Sequence, residues 1–112
     1  MLILHKLTIA VSLLLLSAGS ATAQDTRDAE LASADSELNE VYNKIYMRLD
    51  STNKDKLKSA QRMWLKMREY DCEWAFVDRR DCLIDRTMNR THELKETYFF
   101  ASNNDYINIL SQ

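Results

Sequence analysis

Between Leu31 and Leu49 the apolar residues fall at Leu31, Ala34, Leu38, Val41, Tyr42, Ile45 and Leu49, with polar residues at most of the positions between. Steps of three and four return a side chain to the same side of an α-helix, so the pattern predicts a first helix from about Asp28 to Leu49 with one buried stripe. Asp25, Asp28 and Glu30 stand at its start, where the positive end of the helix dipole favours carboxylates. The pattern breaks at Ser51-Thr52-Asn53, and Thr52 followed three residues later by Asp55 predicts an N-cap with an acidic first turn. A second helix is expected from about Asn53 into the low seventies. Its inward residues are Leu57, Ala60, Gln61, Trp64, either Met67 or Arg68, and Cys72, while Lys54, Lys56, Lys58, Arg62 and Lys66 lie outside. A third is expected from about Cys82 to Ala101, with Leu83 or Ile84, Thr87 or Met88, Thr91, Leu94 and Tyr98 inward. The closing stretch SNNDYINILSQ has scattered apolar residues and no period.

The first residues change where this bundle is expected to live. MLILHK carries a positive charge at Lys6, Leu7 to Leu16 is almost wholly apolar, and SAGSATA ends in small residues. That layout predicts a cleavable signal peptide over residues 1–23, cut after Ala23, and one helical domain over residues 24–112, periplasmic or secreted. The apolar run is too short to serve as a permanent membrane anchor, so no membrane association is expected once it is removed. Gly19 is the sole glycine and there is no proline, so from Gln24 onward both residues that most often punctuate turns are missing. The expected fold is all-α: a small antiparallel bundle of about three helices.

A domain this small buries roughly 60 to 65% of its unfolded surface, and a covalent staple helps it. Cys72 and Cys82 are the only cysteines, and an even number in an exported chain favours a disulfide over free thiols or an intermolecular bridge. The bond would contribute roughly 3 kcal/mol by constraining the unfolded chain. Acidic and basic residues are segregated, with Asp and Glu dominating the first helix and Lys and Arg the second, which helps the two pair. No basic patch interleaved with aromatics argues for nucleic acid.

Catalysis is not expected. Beyond the leader His92 is the only histidine, which leaves neither a Cys-His pair nor a zinc set, so no cofactor or metal is expected either. The acid pairs Asp78 with Asp81 and Glu93 with Glu96 arise easily in so charged a helix, and a glycosidase needs a substrate cleft that a domain this small hardly supplies. On the second helix Gln61, Trp64 and Arg68 read as a structural seam: Trp64 as core, Arg68 as a cross-helix clamp onto a carboxylate such as Glu37 or Asp85, Gln61 as a satisfied polar group. The segment enclosed by the cysteines, EWAFVDRRD, is apolar for a short connection. Trp74, Phe76, Asp78, Arg79, Arg80 and Asp81 are therefore the candidate partner-binding residues, the alternative being that the aromatics fold back over the helix ends.

These residues also carry a likeness. Leu38-Asn39 with Tyr42, then Leu57, Ala60-Gln61-Arg62, Trp64, Arg68 and Cys72, then Cys82, Thr87, Arg90 and Glu93-Leu94 resemble the pattern of the LprI-like lysozyme-inhibitor domain family. That pattern is LN-x-x-Y, A-Q-R-x-W-x-x-x-R-x-x-x-C, and a cysteine before T-x-x-R-x-x-E-L. The resemblance covers residues 38 to 94 and implies a small helical bundle of exported bacterial proteins. It further implies a protein partner, lysozyme or another cell-wall hydrolase, that this chain binds and inhibits. Members often have further cysteines towards the N-terminus and a longer stretch between the two matched here. Readings from a different class are a periplasmic binding or immunity-type module for another envelope enzyme or a toxin, and a homo-oligomer.

Overall fold

The computed structural model describes residues 24 to 100 and 106 to 111, so the expected signal peptide lies outside the described residues, as does part of the C-terminal tail. Three helices carry the fold: α1 (Arg27–Tyr46), α2 (Ser51–Asp71) and α3 (Arg79–Lys95). α1 buries Ala34, Leu38, Val41 and Ile45, the stripe its spacing predicts. It ends three residues short of Leu49, because Arg48 and Leu49 donate their N–H groups to the carbonyls of Ile45 and Tyr46 and tighten the last turn. Leu49 still packs on the core from that turn.

α2 starts earlier than the sequence suggests, and Asp50 caps it in place of Thr52. Its extended backbone presents a carboxylate that accepts the Asn53 N–H at 2.8 Å, while Thr52 lies inside the first turn. α3 likewise begins three residues before Cys82, capped by Asp78, whose side chain accepts the Arg80 N–H at 2.9 Å. Its far end is a correction. The helix stops at Lys95 instead of reaching Ala101, and Tyr98–Phe100 (β1) pairs antiparallel with Tyr106–Asn108 (β2), Tyr98 opposite Asn108 and Phe99 opposite Ile107. The run Thr97 to Phe100 is β-branched and aromatic, which favours extended backbone. The Asn108 side chain then donates to the free carbonyl of Lys95 at 2.8 Å, satisfying the end of α3 from outside. Tyr98 is consequently exposed on the ribbon and not on an inward helical stripe. A 3₁₀ turn, Ile109–Ser111, delivers Ile109 into the core, so the apparently patternless tail closes one end of the bundle.

Cross-helix pairs set the directions. Arg27 meets Asp81 and Glu37 meets Lys95, so α1 and α3 run the same way. Gln61 meets Arg90 and Arg68 meets Thr87, so α2 runs against α3. The core is divided in two. Leu38, Val41, Ile45, Trp64, Leu94 and Ile109 form one cluster, and Cys72, Cys82 and Leu83, with Leu31 and Ala75 against them, form the other. No helix among the described residues is long and apolar enough to cross a membrane.

Candidate functional site

Polar groups fill the gap between the two apolar clusters. Of the alternatives Met67 and Arg68, it is Arg68 that points inward. Its Nη1 donates to Asp35 Oδ1 at 2.9 Å on α1 and to Thr87 Oγ1 at 2.8 Å on α3, joining all three helices. The clamp expected of this arginine is there, but its carboxylate is Asp35. Glu37, one of the expected partners, sits two residues further round α1 and pairs with Lys95, while Asp85, the other, pairs with Arg86. Gln61 Oε1 accepts from Arg90 Nε at 3.0 Å, and both guanidiniums lie over the Trp64 ring, Arg68 at 5.3 Å and Arg90 at 5.9 Å from its centroid. Trp64 is thus a buried aromatic flanked by two cations, each tethered to another helix. Ala60, expected inward on the same stripe, is exposed instead.

Beyond α2 the chain turns back through the disulfide. Cys72 and Cys82 are bonded, with Cα atoms 5.4 Å apart, and both are buried. Of the sequence-selected residues here, Trp74 is 78% exposed and Phe76 42% exposed, with the Arg86 guanidinium over the Phe76 ring; Val77, next in the chain, is wholly exposed. The charged members are placed differently. Arg79 pairs with Glu69 of α2. Asp78 caps α3, Asp81 accepts from Arg27 Nε at 2.9 Å, and Arg80 reaches Asp25, Asp28 and Asp78. The four charged side chains tie the beginnings of α1 and α3 and the end of α2 together, whereas Trp74 and Val77 face solvent.

This ion network has an electrostatic signature. The side chain and then the backbone N–H of Arg80 hold the Asp78 carboxyl down at about 2. The Arg27 N–H and then the Arg80 guanidinium hold Asp25 below the usual carboxylate range. All of these groups face water, so screening keeps their individual contributions small.

One exposed apolar line stands outside the pattern-based expectations. Met63, Met67 and Tyr70 on α2 are 69, 54 and 70% exposed and lie in line with Trp74. Their spacing of four, three and four was available in the sequence, but the basic residues Arg62 and Lys66 beside them gave that side the look of a solvated face. At the opposite end of the bundle a cavity of about 500 Å³ is lined by Ile45, Leu49, Leu57, Leu94 and Ile109 with Arg48, Asp50, Asn53 and Thr97. Its one carboxylate, Asp50, is committed to capping α2. Among the described residues no group of three His, Cys, Asp or Glu side chains is placed to hold a metal ion.

The chain matches the model of the family described as Lysozyme inhibitor LprI over residues 17–94. An uncharacterized protein of Rhizobium meliloti (strain 1021) is 31% identical to it, with 68% of this chain and 71% of the relative covered. No solved structure matches. The pattern shared with the family maps onto the geometry just described: Leu38, Tyr42, Gln61, Trp64, Arg68, Thr87, Arg90 and Leu94 are the core and its clamp, and Cys72 and Cys82 are the staple. The chain belongs to the LprI lysozyme-inhibitor family.

Proposed function

We propose that this chain is an exported, non-catalytic inhibitor of lysozyme-type peptidoglycan hydrolases, released from a leader that ends at Ala23. Its contact with the enzyme is the turn Glu73 to Asp81, led by Trp74. The observation that carries the reading is the pairing of Trp74 and Val77, both facing solvent, with a turn whose ends are fixed by Cys72–Cys82 and whose charged side chains are held by Glu69, Arg27 and Asp25. A large aromatic presented on a pre-ordered turn loses little freedom on binding, which is the character of an interface anchor. The chain's formal charge of −2 favours encounter with a basic enzyme, and animal-type lysozymes are basic and cleave with two carboxylates in an open cleft. An anchor that fills such a cleft excludes substrate with no chemistry of its own.

Clearing of a cell-wall suspension by several lysozyme types, followed as turbidity, tests this. Purified protein slows clearing in proportion to its concentration, and Trp74→Ala relieves the inhibition with an unchanged thermal melt. Unaltered clearing at a large molar excess over every lysozyme type refutes it.

A further inference from the structure

α2 carries a second apolar line, directed away from the bundle. Met63, Met67 and Tyr70 recur at steps of four and three, and Trp74 follows four residues on. The chain keeps winding past the helix end to reach it: Glu73 donates its N–H to the Tyr70 carbonyl and Trp74 donates to that of Asp71. Steps of four, three and four are the a and d spacing of a coiled-coil seam. The bundle-facing side of α2 is already taken up by Leu57, Gln61, Trp64 and Arg68, so the line is unpartnered within the described chain. Four large apolar side chains in register, each more than half exposed, go beyond the singly scattered hydrophobics normal on a surface.

The charges beside the line say what covers it. With Met67 and Trp74 as a positions and Met63 and Tyr70 as d, the g positions on one flank are Lys66 and Glu73. They are one heptad apart, opposite in sign, and neither makes an ion pair among the described residues. On the other flank Asp71 is held by Arg86 at 3.5 Å. Two copies of α2 laid antiparallel bring g against g, so Lys66 of each copy meets Glu73 of the other, twice, by symmetry. Met67 then lies across from Tyr70 and Met63 across from Trp74. We propose that the chain pairs with a second copy of itself through this face of α2, antiparallel and two-fold symmetric. The pairing goes beyond the inhibitor reading and needs no hydrolase.

Sedimentation velocity of the full chain, as the cell processes it, from micromolar to millimolar concentration is the test. Wild type passes from monomer to dimer across that range. Met67→Glu puts a carboxylate from each copy into the seam and stays monomeric throughout, with circular dichroism and thermal melt as in wild type, because Met67 is exposed and outside the core. K66E and E73K alone each weaken the dimer roughly tenfold by facing like charges across the seam, and together they restore it. A wild type that stays monomeric at millimolar concentration overturns the proposal. So does a dimer indifferent to Met67→Glu, or a double exchange that fails to restore pairing.

Discussion

Replacing Arg68 with Met removes the fork that joins the three helices and keeps most of the side chain's length. The magnitude follows from what each contact loses. Thr87 is fully buried, so its charge-assisted bond is the largest loss, about 1.5 to 2 kcal/mol. Asp35 is 44% exposed at its side chain and simply rehydrates, so the ion pair counts at surface scale, about 0.5 kcal/mol. Leaving the face of Trp64 forfeits about 0.5 to 1 kcal/mol. Against these, Met relieves the buried Nε of Arg68, which has no hydrogen-bond partner, and avoids desolvating a guanidinium, an offset of about 1 kcal/mol. The net is a destabilisation of about 2 kcal/mol, which in a domain of this size lowers the melting temperature by about 10 °C. Urea titration followed by circular dichroism measures it, and the same titration on Asp35→Ala and on the double variant isolates a coupling of about 0.5 kcal/mol. A midpoint unchanged in Arg68→Met refutes the clamp. Loss of partner binding with an unchanged midpoint reassigns this arginine to the binding surface.

Two more outcomes follow from the same geometry. Cys72→Ser with Cys82→Ser loses roughly 3 kcal/mol, and reductant shifts the wild-type urea midpoint by the same amount while leaving the serine variant alone; equal midpoints with and without reductant would contradict the staple. Asp25 and Asp78 have folded-state pKa values below their ordinary 3.8, Asp78 at about 2, so the stability they add is fully present above 3.8 and is lost as pH falls through their lowered folded-state values. Melting temperature therefore drops between about pH 4 and pH 2, and Arg80→Gln flattens that limb of the curve; an equally steep limb in the variant rules the network out as its cause.

The three helices were legible because burial imposes a period, and Leu38, Val41, Ile45, Trp64, Thr91 and Leu94 keep it. The helix ends were not, because they depend on which oxygen caps which N–H. Asp50 and Thr52 are both good caps, and only the folded turn selects the aspartate. The C-terminal ribbon was hidden for a different reason. Its burden is carried by one apolar residue, Ile109, and one side-chain amide, Asn108, and neither produces a repeating pattern. The clamp was legible as to its arginine but not its carboxylate. Asp35 and Glu37 differ by 200° around α1, and the rotation of that helix against α2 decides which one faces Arg68.

The residues that mark the family are mostly those that fix α2 against α1 and α3. Gln61 and Arg90, Arg68 and Thr87, Cys72 and Cys82 are partners of one another, and Trp64 lies beneath two of their guanidiniums; only Asn39, Ala60, Arg62 and Glu93 in the pattern are exposed. Membership therefore transfers a frame: the relative placement of the helices and a stapled turn at one end. The surfaces proposed above for recognition use residues outside that pattern, Met63, Met67, Tyr70, Trp74 and Val77, all of them exposed. Trp74 belongs to both outward surfaces, the disulfide turn and the α2 line. A second copy seated on α2 would cover the side chain proposed to enter the hydrolase cleft, so the two proposals compete for one tryptophan, and inhibition is expected to weaken at concentrations where the dimer forms.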